Sequence, residues 1–256
     1  MSDNLAVRIP WPPNFPDVIL HTDVQARDDD PDYGAAKSGD PKAALSLARR
    51  LLKDEAAAEL GRLIGETHAL LLPVVADETT GFNAIPDAMA QVLGRMLGIP
   101  VVSGEVVQTN KVGHTRAPAF QRIVSPAIFA GPVESGASYV LVDDHVGLGG
   151  TLANLRGYVE AGGGHVIGIT TLTESRDARR ISLRPETLSV LSAQHGEELE
   201  LFWKAQFGHG IDCLTDIEGQ ILCRQPSLTA IKDFLDKAAI EASRRGVRPN
   251  IIHRRT

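Results

Sequence analysis

The chain has 256 residues, 43% of them hydrophobic, and a formal net charge of −6. This length and apolar content are enough to bury a full core, and the negative charge argues against a general affinity for nucleic acid or anionic membranes. Only Cys213 and Cys223 are present, without zinc-site or disulfide spacing, so we expect packing residues in a reducing compartment. Neither a signal peptide nor an apolar run of about 20 residues is evident. We therefore expect a cytoplasmic protein without a membrane partner.

The N-terminal region, residues 1–66, predicts an irregular arm followed by a helix. The arm is rich in proline, and Trp11 and Phe15 are the residues expected to anchor it. Asp40 followed by Pro41 is typical of an N-cap and first helical position. Apolar residues then recur at helical spacing as far as Leu63.

The next region predicts a strand, helix and strand that form a parallel βαβ unit. Its first strand runs over residues 69–75, its helix over 86–97 and its second strand over 101–107. A polar turn at 76–83 separates the first strand from the helix. After the second strand, residues 108–122 are polar and basic, and we expect a mobile loop there.

The most informative segment is residues 139–151, with the sequence YVLVDDHVGLGGT. Its apolar run is typical of a parallel strand covered on both faces, and therefore of a central strand. Asp143 and Asp144 follow at the strand end, where carboxylates suit sugar hydroxyls and hydrated Mg²⁺. The glycines then turn the backbone, and Thr151 opens a helix whose N-terminus favours an anion. A Rossmann site fits less well, because the acids precede the glycines and the G-x-G-x-x-G spacing is missing.

This segment resembles the 5-phosphoribosyl-1-pyrophosphate (PRPP) motif of type I phosphoribosyltransferases. The match is strongest over residues 140–144 and 149–151. His145 replaces an aliphatic residue of the family pattern, and Gly147 and Leu148 replace two hydroxyl residues. An acidic residue stands at the position of Gly147 in the 6-oxopurine branch, so its absence argues against that branch.

The resemblance implies an α/β fold with a phosphoribosyltransferase-like core at 67–180, in which a mostly parallel sheet is flanked by helices. Residues 181–256 are expected to form an added C-terminal cap or hood. In the cap, the patterns at 199–207 and 211–223 predict short strands around a turn at Glu218 and Gly219, and Ser227 is expected to cap a final helix. Trp203 and its aromatic neighbours are expected to form the small core of the cap.

The resemblance also implies roles for individual residues. Asp143 and Asp144 would hold the ribose hydroxyls and bind Mg²⁺ through water. The 147–151 loop would hold the 5′-phosphate, while the 76–81 turn and the basic loop would meet the pyrophosphate. The expected catalytic residues are Asp143, Asp144, Lys111 and Arg116, with His114 as a further donor. The expected PRPP-binding residues are Thr79, Thr80, Gly81, His145, Gly147, Leu148, Gly149, Gly150 and Thr151.

Three functions remain open at this point. The first is a Mg²⁺-dependent phosphoribosyltransferase that transfers ribose phosphate from PRPP to a nitrogen of a nucleobase or related heterocycle. The second is a non-catalytic module that senses PRPP or a nucleotide. The third is an interaction protein, linked to DNA uptake or repair, that keeps the fold without the chemistry. The acceptor is open, a homodimer is compatible with the family, and a nucleic-acid partner is not expected.

Overall fold

The computed structural model describes residues 6–78, 81–110 and 118–251. The strands are β1 (Ile19–Leu20), β2 (Ala69–Pro73), β3 (Asp77–Glu78), β4 (Gly81–Phe82), β5 (Val107–Gln108), β6 (Phe129–Ala130), β7 (Ser138–Val146) and β8 (His165–Glu174). The helices are α1 (Val24–Asp28), α2 (Tyr33–Lys37), α3 (Pro41–Leu51), α4 (Asp54–Ile64), α5 (Ile85–Leu97), α6 (Ala119–Val124), α7 (Gly150–Ala161), α8 (Pro185–Phe207), α9 (Asp216–Cys223) and α10 (Leu228–Arg244). A 3-10 turn covers Ile211–Cys213.

A parallel sheet of four strands, in the order β1-β8-β7-β2, organises the fold. Val140 and Val142 of β7 belong to a core shared with α3, α4 and α5. Tyr139 and Leu141 belong to a second core, shared with α7. The strand is therefore buried on both faces, which explains its uninterrupted apolar sequence. The predicted α/β class, with a mostly parallel sheet flanked by helices, is confirmed, and β7 is an inner strand as expected.

The strand predicted at 101–107 is wrong over most of its length. One parallel bridge joins Leu71 to Val101, and the chain then leaves the sheet. Gly104 has φ +70, a left-handed conformation that ends the extended run. Val107 and Gln108 pair instead with β6, in an antiparallel ribbon. A helix, α6, also begins at Ala119, within the predicted basic loop, and continues past its end to Val124.

The two strands predicted in the cap are also wrong, because helices occupy both segments. In α8 the buried residues Leu191, Leu199, Trp203 and Phe207 recur at multiples of four, the period of a helix face. The predicted turn at Glu218 falls inside α9, which begins with a capping box formed with Thr215. The aromatic core expected in the cap is present, and it is shared with α6.

The N-terminal predictions are correct at the helix caps and incomplete between them. Asp40 caps α3 through the amides of Lys42 and Ala43, as Ser227 caps α10 through Ala230. The helical pattern that continues to Leu63 is split into α3 and α4 by a break at Leu52. The arm is not wholly irregular, because it supplies β1 to the sheet and is followed by α1 and α2.

The remaining global features concern the cysteines and the helices. Cys213 and Cys223 are both free thiols, and burial raises the pKa of Cys213 to about 12. Over the described ranges, none of the helices combines the length and the apolar character needed to cross a bilayer.

Candidate functional site

The paired aspartates lie where β7 loses one of its two neighbours. Pairing with β2 ends at Val142, whereas pairing with β8 continues to Val146. Asp143 and Asp144 therefore follow the last residue with a strand on each side, and they are only 9% and 5% exposed. Burying two adjacent carboxylates at the end of a sheet costs free energy unless they have polar partners. The groups that contact Asp143 and Asp144 therefore determine which ligands the two carboxylates can bind.

The two carboxylates have different environments. The Nζ of Lys37, the last residue of α2, lies 2.9 Å from Oδ2 of Asp144. Burial alone would raise the pKa of Asp144, but Lys37 and further hydrogen bonds lower it overall. Burial raises the pKa of Asp143 well above its usual range, and the charge on Asp144 adds to the effect. Burial and the neighbouring charge thus disfavour the ionised form of Asp143.

A glycine turn connects β7 to α7 and leaves the helix N-terminus without a side-chain cap. Gly149 occupies the N-cap position with φ +79, and over the ranges that the structure describes no side chain caps the first turn. A Cβ on Gly149 would lie 3.1 Å from side-chain carbons of Ile181 and Thr215, so the position needs glycine both for conformation and for space. The first N–H groups of a helix have no intrahelical acceptor, and with the helix dipole they favour an anion.

A single cleft gathers most of the predicted PRPP-binding residues. We call it the loop cleft. Its walls are Arg122, Pro126, Asp143, His145, Val146, Gly147, Leu148, Gly149, Gly150, Thr151, Leu152, Asn154 and Glu218. One of the paired aspartates therefore faces the same space as the glycine turn and the start of α7.

Arg122 of α6 places a cation in the loop cleft, and the sequence analysis did not single it out as a site residue. A Cβ on Gly147 would lie 3.3 Å from its Nη1, so the guanidinium packs directly over the glycine turn. Within the described part of the chain, this guanidinium has no hydrogen bond or ion pair of its own. Burial lowers the pKa of Arg122, and the charge of Glu218 opposes that effect. A desolvated arginine without a counter-ion, facing a helix N-terminus, favours an anionic ligand.

A buried ion pair supports the other side of the turn. Arg8 of the arm contacts Glu218 of α9 through two bonds, at 2.6 and 2.9 Å, and donates to Oδ1 of Asn154 at 2.7 Å. Thr215 donates to the carbonyl oxygen of Leu148 at 2.5 Å. The arm and the cap thus hold the glycine turn and the first turn of α7 in place.

His145 reaches the loop cleft, but both of its ring nitrogens already have partners, one on β8 and one directly after it. Nδ1 lies 2.8 Å from Oγ1 of Thr173, and Nε2 lies 2.8 Å from Oγ of Ser175. Burial lowers the pKa of His145, and Arg27 adds to the effect. These hydrogen bonds link the end of β7 to β8 and fix the orientation of the His145 ring. The predicted contact of His145 with PRPP stays a prediction.

The pyrophosphate side of the predicted site is only partly described. Gly81 lies in β4, and the β3–β4 ribbon contacts the turn that follows α2. Gly39 in this turn has φ +102, and a Cβ there would lie 2.8 Å from the backbone oxygen of Phe82. The ribbon therefore adjoins the helix that carries Lys37. Four of the predicted site residues, together with His114, lie outside the described residues: Thr79, Thr80, Lys111 and Arg116.

Lys37, Arg122 and Glu218 are the contributors that the sequence analysis missed. A signal existed for one of them, since Thr215 and Glu218 have the spacing of a capping box, which predicts a helix start. Lys37 and Arg122 are brought to β7 by tertiary packing, and no local pattern indicates them.

No family model matches the chain. Protein TraN of Escherichia coli is 40% identical over 244 residues, which are 95% of this chain and 54% of that protein. An uncharacterized protein of Haemophilus influenzae is 38% identical over 153 residues, or 60% of this chain and 34% of that protein. The chain thus spans about half the length of the first relative, and less of the second.

The solved structures that resemble the chain include an adenine phosphoribosyltransferase and a purine phosphoribosyltransferase. The first is 19% identical, has a TM-score of 0.33, and is matched over 53% of this chain and 72% of its own. The second, from Pyrococcus horikoshii, is 18% identical, has a TM-score of 0.30, and is matched over 48% of this chain and 83% of its own. The chain is an α/β protein on the evidence of its own sheet, with a candidate anion site where an inner strand ends.

Proposed function

We propose that the chain is a phosphoribosyltransferase that binds PRPP with Mg²⁺ and transfers the 5-phosphoribosyl group to a nitrogen of a nucleobase or related heterocycle. One observation carries the proposal. Asp143, the N-terminus of α7 and the guanidinium of Arg122 line the same cleft, and no other described side chain caps that N-terminus or pairs with the guanidinium. Hydroxyl-binding carboxylate, phosphate-binding amides and a cation are the groups that a phosphorylated sugar with a diphosphate would need.

In this proposal the ribose hydroxyls bind Asp143 and Asp144, and the 5′-phosphate binds the amides of the 147–151 loop. Thr79, Thr80 and Gly81, together with Lys111 and Arg116, would meet the pyrophosphate. Gly147 and Leu148 supply no hydroxyl groups, so backbone N–H groups and Arg122 would do more of the phosphate binding. The cytoplasm is the compartment we propose, since PRPP and nucleobases are intracellular metabolites and both thiols are free.

The residues present fit a hydrated Mg²⁺ better than a bare ion held by protein alone. Among the described residues, no group of three or more Asp, Glu, His or Cys is placed to hold a metal. Mg²⁺ in phosphate-transfer sites is usually held by one or two carboxylates, substrate phosphates and water. Asp143, whose pKa is raised by burial and by the charge of Asp144, fits such a shared site. The ion, when bound, would supply charge neutralisation at the diphosphate.

The reaction breaks the bond between ribose C1 and the pyrophosphate oxygen and forms a bond from C1 to the acceptor nitrogen. The bonding electron pair leaves with pyrophosphate, and the nitrogen loses its proton to solvent or to the leaving group. Positive charge develops on the sugar and negative charge on the leaving group. The protein's part is positioning and electrostatic stabilisation. Asp143 and Asp144 lie at the sugar, and Arg122 supplies positive charge across the cleft.

A non-catalytic sensor of PRPP or a nucleotide is the second candidate. The ion pair between Lys37 and Asp144 at 2.9 Å favours it, because that pair occupies one oxygen of the second carboxylate. The missing hydroxyl groups at Gly147 and Leu148 are also easier to accommodate in a binder than in a fast enzyme.

The test is pyrophosphate release from PRPP and Mg²⁺ with a panel of purine and pyrimidine bases. We expect release with at least one base and its loss in Asp143→Asn and Arg122→Gln. Gln121→Ala is the matched control on the same helix, and it should retain activity. Binding of PRPP without release of pyrophosphate with any base would support the sensor. The absence of both binding and release would support the interaction protein.

A further inference from the structure

A small pocket, which we call the inner pocket, lies where the arm, α6, α7 and the cap meet. Its free volume is ≈ 10 Å³, about the smallest space that can hold one water molecule. Its walls include Arg8 of the arm, Asn154 of α7, Trp203 of α8 and His209, which follows α8. The pocket is therefore too small for a metabolite, and its occupant can only be a water molecule or a single small ion.

Two buried hydrogen-bond donors on these walls lack acceptors. Nδ2 of Asn154 and Nε1 of Trp203 have no hydrogen-bond partner among the described residues, and both residues are 1% exposed. Arg8 fixes the orientation of the Asn154 amide, because Nε of Arg8 donates to Oδ1 at 2.7 Å and so leaves Nδ2 as the open group. A buried donor without an acceptor costs free energy and is rare in folded proteins. Two such donors on one pocket therefore indicate that the pocket holds an acceptor.

His209 contributes an acceptor to the same pocket. Its Nδ1 lies 3.0 Å from the carbonyl oxygen of Gly210, which can only accept, so Nδ1 carries the hydrogen. Burial lowers the pKa of His209 to about 4, so at pH 7 the ring is neutral and Nε2 keeps its lone pair. The charge of Arg8 is already balanced, since Glu218 accepts from both of its terminal nitrogens, at 2.6 and 2.9 Å. The described walls thus present two donors and one acceptor without an unbalanced charge.

We propose that the inner pocket is a binding site for one buried water molecule, which accepts hydrogen bonds from Asn154 and Trp203 and donates one to Nε2 of His209. Three hydrogen bonds are the usual number for a buried water. A halide ion also accepts from N–H groups, but it has no hydrogen for His209 and would bring an unbalanced charge into a buried space. An ammonium ion has no lone pair for the two donors. Water is therefore the small occupant that satisfies all three groups.

The water would join parts of the chain that are distant in sequence. Its three partners lie on α7, on α8 and after α8, and Arg8 of the arm holds the Asn154 amide in the orientation that the water needs. Asn154 and Pro126 also line the loop cleft, so the water would lie behind a wall of that cleft and link α7 to the cap. The inference goes beyond the proposed function and does not rest on it, because it concerns the packing of α7 and holds whether or not PRPP binds.

The test is a crystal structure of the full chain at a resolution that shows ordered waters, from crystals grown once with chloride and once with bromide as the halide. We expect one density peak in the inner pocket, at hydrogen-bonding distance, about 2.7–3.2 Å, from Nδ2 of Asn154, Nε1 of Trp203 and Nε2 of His209. Bromide should give no anomalous signal there. An empty pocket, a peak that misses either donor, or bromide at this position would overturn the inference.

Two variants and a control test the hydrogen bonds of the water. Asn154→Asp keeps the oxygen that accepts from Arg8 and replaces the open donor by a second acceptor. The peak should remain in this variant, because water can turn and donate to the new oxygen, whereas an anion would be expelled. Trp203→Phe removes the other donor and enlarges an apolar space, so the peak should be lost. Trp11→Phe is the control and should leave the peak unchanged, because Nε1 of Trp11 donates to the carbonyl oxygen of Leu214 at 2.8 Å.

Loss of the peak in Asn154→Asp, or an unchanged peak in Trp203→Phe, would overturn the inference. If Trp203→Phe does not fold, the wild-type crystals in the two halides and the Asn154→Asp variant still decide between water, an anion and an empty pocket.

Discussion

Removing Arg8 should destabilise the fold far more than removing an ordinary surface arginine. Its side chain is 6% exposed and that of its partner Glu218 is 2% exposed, with a shortest contact of 2.6 Å. Breaking a buried ion pair by removing one partner leaves an uncompensated charge and costs about 3–5 kcal/mol. Arg8→Met should therefore lower the free energy of unfolding by about that amount.

The assay is urea or guanidinium unfolding, with two companions for Arg8→Met. Arg245→Met removes an arginine that is 54% exposed in its pair with Glu241, itself 37% exposed, and should cost less than about 1 kcal/mol. Glu218→Gln, combined with Arg8→Met, should recover part of the loss because no buried carboxylate remains unpaired. A cost below about 1 kcal/mol for Arg8→Met would refute the reasoning, as would a double variant less stable than the single one.

The same pair gives a pH dependence with a defined sign. Burial alone would raise the pKa of Glu218, but Arg8 and a set of hydrogen bonds lower it overall. A carboxylate with a depressed folded pKa contributes stability above its unfolded pKa, and that stability is lost as the pH falls through the folded pKa. Acid unfolding of the wild-type chain should therefore be steeper than that of Glu218→Gln, and equal slopes would contradict this.

Three further predictions concern single residues. Gly149→Ala forces alanine into a left-handed conformation at φ +79 and should cost about 1–2 kcal/mol or more in urea unfolding; an unchanged midpoint would contradict the steric argument. Burial, aided by Lys53, lowers the pKa of His21 to about 4, so the unfolded chain binds more protons between the two pKa values. The free energy of unfolding should fall by on the order of 3 kcal/mol from pH 7 to pH 4, and by less in His21→Gln. Identical pH profiles of stability for the two proteins would refute this. Asp143→Asn should raise the melting temperature at pH 7, since the raised pKa of Asp143 means that its ionised form opposes folding, and should abolish the thermal shift with PRPP and Mg²⁺; a lower melting temperature would contradict this.

The parts of the fold that sequence reasoning predicted correctly are those with local signals. The apolar run of β7 predicted an inner strand, and the caps at Asp40 and Ser227 predicted helix starts. The strand predictions in the cap failed because α8 buries only about every fourth residue, and Gly196, with φ 61, departs from helical geometry within that helix. The division of the chain at residues 66 and 180 stays a prediction.

The candidate site divides in the same way. Asp143 and the glycine turn are contiguous in the chain, so one motif indicated them and the structure places them on one cleft. Lys37, Arg122 and Arg8 come from three separate elements that converge only through packing. No local sequence pattern indicates that convergence, so the cation that Arg122 places beside Gly147 could not have been predicted without coordinates.

The most direct test of the account is calorimetric titration of the chain with PRPP in the presence of Mg²⁺. The account predicts saturable heat with one site per chain, lost in both Asp143→Asn and Arg122→Gln and retained in Gln121→Ala. Absence of heat in the wild-type chain, or equal heat in all four proteins, would contradict the assignment of the loop cleft to a phosphorylated sugar.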